Sequence, residues 1–390
     1  MKIASIDVLT LKLPPLSAPT PPRAGARAGA AVPLPLHIYP EFARTRGAHP
    51  GDVEGELWVR VVAEDGTFGL GHTHWGEFSA PVVRHAFAPL LVSRDCFAIE
   101  FLNDLMWRAS QRFGTTGIAA LARSAIDIAL WDLKGKLLGV PVYSLIGGPC
   151  RPTVEYYAST HDLDWAMELG FTAFKIPNSA SYADGTAGIN RLEDEVAEAR
   201  GKVGPDADLM INPVMSFNVD YAIRVMERLL PYRLRWFEEP LMPWNVDGLE
   251  QLKRAVPTMP IATGEDHRGR HEFRELIDRR CVDVLQPDIR WAGGLSEVLK
   301  IYTLGEAAGL QTLVHGGGAM AAGQHFVAAM PESPLAEWVL FSRAGVPLSE
   351  VMRVPGVRVP ENGRVALSDA PGFGYELRPE HFVPWTSAAH

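Results

Sequence analysis

The sequence predicts an α/β protein: an eight-fold (β/α) barrel of the TIM type behind an N-terminal α+β capping domain. Three observations predict it. Between Asn212 and His315, short apolar runs end one after another in an acid, an amide or an imidazole: Met210-Ile211-Asn212, Trp236-Phe237-Glu238-Glu239, Ala262-Thr263-Gly264-Glu265, Leu285-Gln286-Pro287-Asp288 and Leu313-Val314-His315. These ends recur about every 25 residues, near the roughly 30 of one strand–helix unit in such a barrel. The stretches between them read as helices, and alternating βα units close into a barrel or open into a doubly wound sheet. Polar groups at so many successive ends favour the barrel, because an open sheet gathers ligands mainly at one switch point.

A chain of 390 residues holds a barrel of about 250 residues and a smaller companion. Its 47% hydrophobic and 21% charged content is that of an ordinary globular protein. A formal charge of -9 speaks against nucleic acid and anionic membrane as partners. Cys96, Cys150 and Cys281 are too few and too scattered for a zinc site or a disulfide framework, so reduced thiols and a cytoplasmic location are expected. The N-terminus lacks the apolar stretch of a signal peptide, and no run reaches the roughly 18 apolar residues of a membrane span.

Taken in order, Ile3 to Leu13 alternates as a strand does. A Pro/Ala/Arg/Gly mixture follows to about Pro35, which is either a linker or a loop that orders over a ligand; Arg23, Arg27, His37 and Arg46 lie in or after it. Glu56 to Glu64 is a strand, Asp65-Gly66 a turn and Thr67 to Thr73 the returning strand. Ala80 to Leu91, Ile99 to Gln111 and Thr116 to Leu138 repeat at helical spacing, and Gly147-Gly148-Pro149 closes the capping domain near residue 150. The barrel is expected over 151–360, with strands at Glu155 to Ser159 and Thr172 to Pro177 ahead of the five runs above. Helices are expected at Gly188 to Val203, Val219 to Leu230, Gly248 to Arg254, His271 to Arg280, Gly294 to Ala308 and Met320 to Met330. Residues 361–390 form a tail.

Side chains at the carboxyl ends of barrel strands converge on one mouth. Asn212, Glu238 and Glu265 offer hard oxygen atoms from three neighbouring ends, a set that suits Mg²⁺; acids at strand ends also cap helices or pair with arginines. Asp288 and His315 follow at the next two ends. A carboxylate beside an imidazole fixes its tautomer and raises its basicity, as a general base requires. The glycines of His315-Gly316-Gly317-Gly318 let backbone or substrate approach. Lys175 and Pro177 are two apart on one strand and share a face. A second lysine there would put two amines opposite His315, and proline cannot act as a base.

With these residues in view the chain resembles the enolase superfamily, within its mandelate racemase subgroup, and there the L-rhamnonate dehydratases. The resemblance rests on Asp127-Ile128-Ala129-Leu130-Trp131-Asp132-Leu133-Lys134-Gly135-Lys136, Pro141 to Gly148, Trp236 to Glu239, Gly264 to His267, Gln286 to Gly294, and Pro371-Gly372-Phe373-Gly374 in the tail. It implies a modified, enolase-like barrel, Mg²⁺ held at Asn212, Glu238 and Glu265, and removal of the proton beside a substrate carboxylate by the His315–Asp288 dyad. It further implies that Glu337 hydrogen-bonds substrate, that the tail returns to the capping domain, and that water is lost from a sugar acid to give a 2-keto-3-deoxy product. Lys175, Glu337, Arg46 and His37 are the expected substrate-binding residues, and a homo-oligomer is the expected assembly. The family's first metal position is usually aspartate with tryptophan two residues on; here Asn212 and Val214 stand there. A catalytically silent relative, or an epimerase or dehydratase of another aldonic or aldaric acid, is the alternative.

Overall fold

The computed structural model describes residues 1–13, 20–26, 32–39, 41–42, 55–352 and 354–386. β1 (Ile3–Leu11), β2 (Leu57–Ala63) and β3 (Phe68–Thr73) pair as an antiparallel meander. One face is covered by the helix Ile118–Leu138, buried on nearly every side because the barrel lies against it as well. Strand and helix touch backbone to backbone: a Cβ on Gly71 would lie 2.1 Å from the Ala125 carbonyl oxygen, so only glycine fits. The stretch expected as one helix over 80–91 is three pieces, Gly76–Pro81, a π-helical Val82–Phe87 and Ala88–Leu91. Pro81 and Pro89 lack the N–H that continuous helix needs.

The barrel strands are β4 (Thr153–Ser159), β5 (Ala173–Pro177), β6 (Asp208–Asn212), β7 (Phe237–Glu238), β8 (Ile261–Thr263), β9 (Val284–Leu285), β10 (Gln311–Thr312) and β11 (Leu335–Val339). Each pairs in parallel with the next as far as β10, and β11 pairs in parallel with β4, which brings the last unit back to the first. Closure shows in the interior. Tyr157, Ala173, Met210, Trp236, Ala262, Val284, Leu313 and Leu335, one from each unit, form a separate buried cluster. A larger apolar layer packs the strands against the surrounding helices. Most helices begin within about three residues of the sequence expectation.

The tail serves both domains. β12 (Arg364–Ala366) runs antiparallel to β4 at the bottom of the barrel, and β13 (Phe382–Pro384) adds to the free edge of β1. Between them Gly372 exchanges backbone hydrogen bonds with Val140 and Val142, and the Phe373 N–H donates to buried Asp132 at 2.8 Å. Among the described residues no helix is long and apolar enough to cross a membrane.

Candidate active site

Short strands that stop in register put their last side chains around one opening. Lys175 on β5, Asn212 and Glu238 ending β6 and β7, Asp288 beyond β9 and Glu337 on β11 are all buried. A cavity of about 470 Å³ opens over them, within the usual range for a small-molecule site. Lys175, Pro177, Asn212, Glu265, His315 and Glu337 line it.

Lys175 is the positive centre of the floor. Its Nζ lies between Glu238 Oε1 and Glu337 Oε1, the latter at 2.7 Å. Burial works against the ammonium, but the two carboxylates outweigh it and hold its pKa well above the ordinary value. Burial likewise opposes the Glu337 carboxylate, yet Lys175 draws its pKa down to about 2. Its second oxygen accepts from the Gly316 N–H at 2.8 Å, tying β11 to the glycine turn after His315.

Glu238 is fully engaged. Oε1 accepts from Lys175 and from Asn212 Nδ2 at 2.8 Å; Oε2 accepts from Trp236 Nε1 and Gln286 Nε2, each at 2.8 Å. The orientation of the Asn212 amide follows from its other side. The Val214 N–H donates to Oδ1 at 2.7 Å, so Oδ1 is an acceptor and the NH₂ group faces Glu238. Val214 and Met215 take left-handed backbone, with φ of 50° and 60°, and Glu239 has φ of 42°. For a β-branched valine that conformation is strained, and such strain gathers at functional sites.

His315 and Asp288 are brought together. His315 Nδ1 is 3.0 Å from Asp288 Oδ2, and Nε2 is 3.4 Å from Glu265 Oε1. Asp288 is wholly buried, but Arg290 and His315 keep its pKa far below the usual carboxylate range. Burial favours neutral His315, and the Glu265 charge with the Asp288 hydrogen bond overrides it, raising the pKa to about 9.

Glu265 has a second neighbourhood. Oxygen atoms of Glu239, Glu265 and Asp266 all lie within 4.8 Å of one another. Burial, then Asp266, pushes Glu239 up to about 8, and its Oε2 is buried without a hydrogen-bond partner. Burial and Glu239 also raise Glu265 well above its ordinary value. Hard oxygen donors crowded together, one of them orphaned, fit a divalent cation. Of the three residues expected to hold the metal, Glu265 alone belongs to this cluster. Glu238 has its charge met by Lys175, and Asn212 turns nitrogen rather than oxygen toward Glu238.

Of the expected substrate residues, His37 is not brought to the cavity. Arg46 lies outside the described residues. His37 sits in the turn Pro35–Ile38, its Nδ1 accepting from the Leu34 N–H at 3.1 Å, and is not among the cavity-lining residues, whereas Val32 is. The cavity adds residues that the sequence reading passed over: Thr160, His161 and Asp162 just past β4, and Phe341 and Arg343 just past β11. They follow strand ends as Asn212 and His315 do, so the same rule, applied to the first and eighth strands, finds them.

Residues 55–147 match the family model described as mandelate racemase / muconate lactonizing enzyme, N-terminal domain, and residues 161–381 that described as enolase C-terminal domain-like. An L-rhamnonate dehydratase from Saccharopolyspora erythraea is 36% identical over 353 residues, 90% of either chain. The crystal structure of rhamnonate dehydratase from Gibberella zeae complexed with Mg superposes with a TM-score of 0.88 at 29% identity, covering 98% of this chain and 96% of that one. The 3,6-anhydro-D-galactonate cycloisomerase from Zobellia galactanivorans gives 0.77 at 27% identity, covering 97% and 98%.

Proposed function

From the premise that this chain belongs to the mandelate racemase / muconate lactonizing enzyme family, with its enolase-like barrel, we propose that it is a Mg²⁺-dependent acid-sugar dehydratase acting on L-rhamnonate or a close relative. The observation that carries the reading is that the base is single: His315, paired with Asp288, lines the cavity, and Pro177, which cannot be a second base, lines it too. Racemisation needs a proton donor and acceptor on opposite faces of a planar intermediate, whereas loss of water can use one group twice.

In this reading a substrate carboxylate lies by Glu265 and Lys175. Asp288 stays ionised and binds the Nδ1–H of His315, which leaves Nε2 as the atom that takes the proton from the adjacent carbon. The resulting imidazolium then hands a proton to the departing hydroxyl. Glu265 would hold the metal, with Glu238 joining it by giving up part of its contact with Lys175; Asn212, whose NH₂ faces Glu238, stands beside them, and Glu239 and Asp266 flank the site. When bound, Mg²⁺ supplies the positive charge that offsets the negative charge growing on the substrate and relieves the hold of Glu265 on the His315 proton. Lys175 and Glu337 orient the substrate's oxygen atoms. Ile176, Pro177, Val214, Leu340 and Phe341 are among the lining residues and give the cavity apolar surface, which suits the methyl end of a 6-deoxy sugar acid.

Incubation with Mg²⁺ and a panel of aldonic and aldaric acids, assayed for 2-keto-3-deoxy products, tests the reading. His315→Asn should lower kcat by at least about 10³-fold, the order expected for loss of a general base; undiminished turnover would sink the assignment. One observation favours a second reading, a family member that binds a sugar acid without turnover: the Asn212 amide presents NH₂ where a ligand oxygen is expected. Substrate binding by calorimetry without product formation at any Mg²⁺ concentration would establish it.

A further inference from the structure

We infer that Arg290 is a positioning residue for the His315–Asp288 pair, held in place by the capping domain through Thr73 and His74. The inference rests on the reading of that pair as the proton-transfer dyad.

Asp288 has no exposed surface, and Arg290 addresses both of its oxygens. The Arg290 backbone N–H (2.7 Å) and Nε (3.2 Å) donate to Oδ1, while Nη2 donates at 2.8 Å to Oδ2, the oxygen that faces His315 Nδ1. A guanidinium fork fixes the plane of a carboxylate. The terminal torsion of aspartate is otherwise broad, and a modest rotation would carry Oδ2 away from the imidazole. The fork therefore sets the direction in which Asp288 holds His315, and with it where Nε2 points.

Arg290 is itself clamped from the other domain. Thr73, the last residue of β3, donates from Oγ1 to the Arg290 carbonyl at 3.0 Å, and Arg290 Nη1 is 3.3 Å from His74 Nε2. A guanidinium and an indole N–H both only donate, and neutral His74 has a single acceptor nitrogen, so the Arg290 Nη1 and Trp291 Nε1 contacts are alternatives set by the His74 tautomer. Burial and the Arg290 charge keep His74 neutral, with its pKa down to about 4. Trp291 Nε1 stands 3.2 Å from His74 Nδ1, and the Trp291 ring packs 5.3 Å from that of His315. A lysine could not do the same work, since one point charge cannot span Asp288 and His74 together.

The test uses the full chain with Arg290→Ala and Arg290→Lys. A positioning role predicts a fall in kcat of about 10- to 100-fold with KM nearly unchanged, the size of loss when a partner that orients a histidine is removed. Arg290→Lys should show nearly the full loss, and added guanidinium should restore Arg290→Ala saturably while leaving the wild type unaffected. Independently of turnover, the downfield proton resonance of the His315 Nδ1–H should be lost in both variants and return with guanidinium in Arg290→Ala. An unchanged kcat, a loss confined to KM, or an intact His315 resonance in either variant overturns the inference. If the wild type turns over no sugar acid, the reaction reading fails, and the resonance still decides Arg290. If Arg290→Ala does not fold, Arg290→Lys carries both readouts.

Discussion

Asn212 differs from an aspartate by one atom, and its surroundings say what that atom does. Its Oδ1 is fixed by the Val214 N–H, so the exchange Asn212→Asp would place a charged oxygen where NH₂ now stands, 2.8 Å from Glu238 Oε1. Without a cation two carboxylates at that distance repel, and the metal-free variant should melt below the wild type. With Mg²⁺ the sign reverses, because a third hard ligand is now available. We expect the Mg²⁺ dissociation constant to fall by about tenfold, or ~1.4 kcal/mol, and the melting temperature to climb more steeply with Mg²⁺ than in the wild type. Calorimetric titration of both proteins measures this, and equal affinities would mean that position 212 contributes nothing to the metal site.

At the scale of an element, the segment from Asp288 to Ser296 joins the chemistry to the domain interface. Its first residue orients His315, and its end is stitched to the capping domain: Asn103 Nδ2 donates to the Gly293 carbonyl at 3.0 Å, the Gly293 N–H to Ser124 Oγ at 2.9 Å, and the Ser296 N–H to Asp127 at 2.9 Å. So close a fit leaves no room for side chains. Gly294 has φ of 92°, and a Cβ there would lie 2.4 Å from the Asp127 side chain. Gly294→Ala combines overpacking with the strain of φ 92° and ψ -178°, a region essentially confined to glycine, and should lower unfolding stability by about 3 kcal/mol. Gly66→Ala is the control: its φ of 86° is similar but nothing lies within 4 Å, so only strain remains, about 1 kcal/mol. Urea midpoints compare the two, and equal losses would show that contact with Asp127 is not what fixes the glycine.

For the whole molecule, the βα rhythm and the polar strand ends were legible because both are local: period and position along the chain suffice to name Asp288, His315 and Lys175, whereas Glu337 was named by the family resemblance. What pairs with what was not legible. That Glu238 would be met by Lys175, leaving Glu239 Oε2 without a partner beside Glu265, depends on burial and on the positive φ of Glu239, neither of which a strand-end pattern carries. The contacts of the capping domain with the barrel were equally hidden, since they join residues far apart in sequence. His325 is one of them. It lies in the barrel helix Ala321–Ala329, is 5% exposed, and its Nδ1 accepts from the Tyr143 N–H at 3.1 Å. Burial lowers its pKa from 6.5 to about 4. The unfolded chain therefore binds a proton that the folded chain does not, so His325 contributes stability above pH 6.5 that is lost as pH falls toward 4. From pH 7 to 5 that loss amounts to about 2 kcal/mol. His325→Gln keeps an acceptor for Tyr143 but cannot titrate; its unfolding free energy, from urea titrations at both pH values, should fall by about 2 kcal/mol less than that of the wild type. Parallel pH profiles for the two proteins would mean that His325 is protonated without cost in the folded state, and that this interface opens to water.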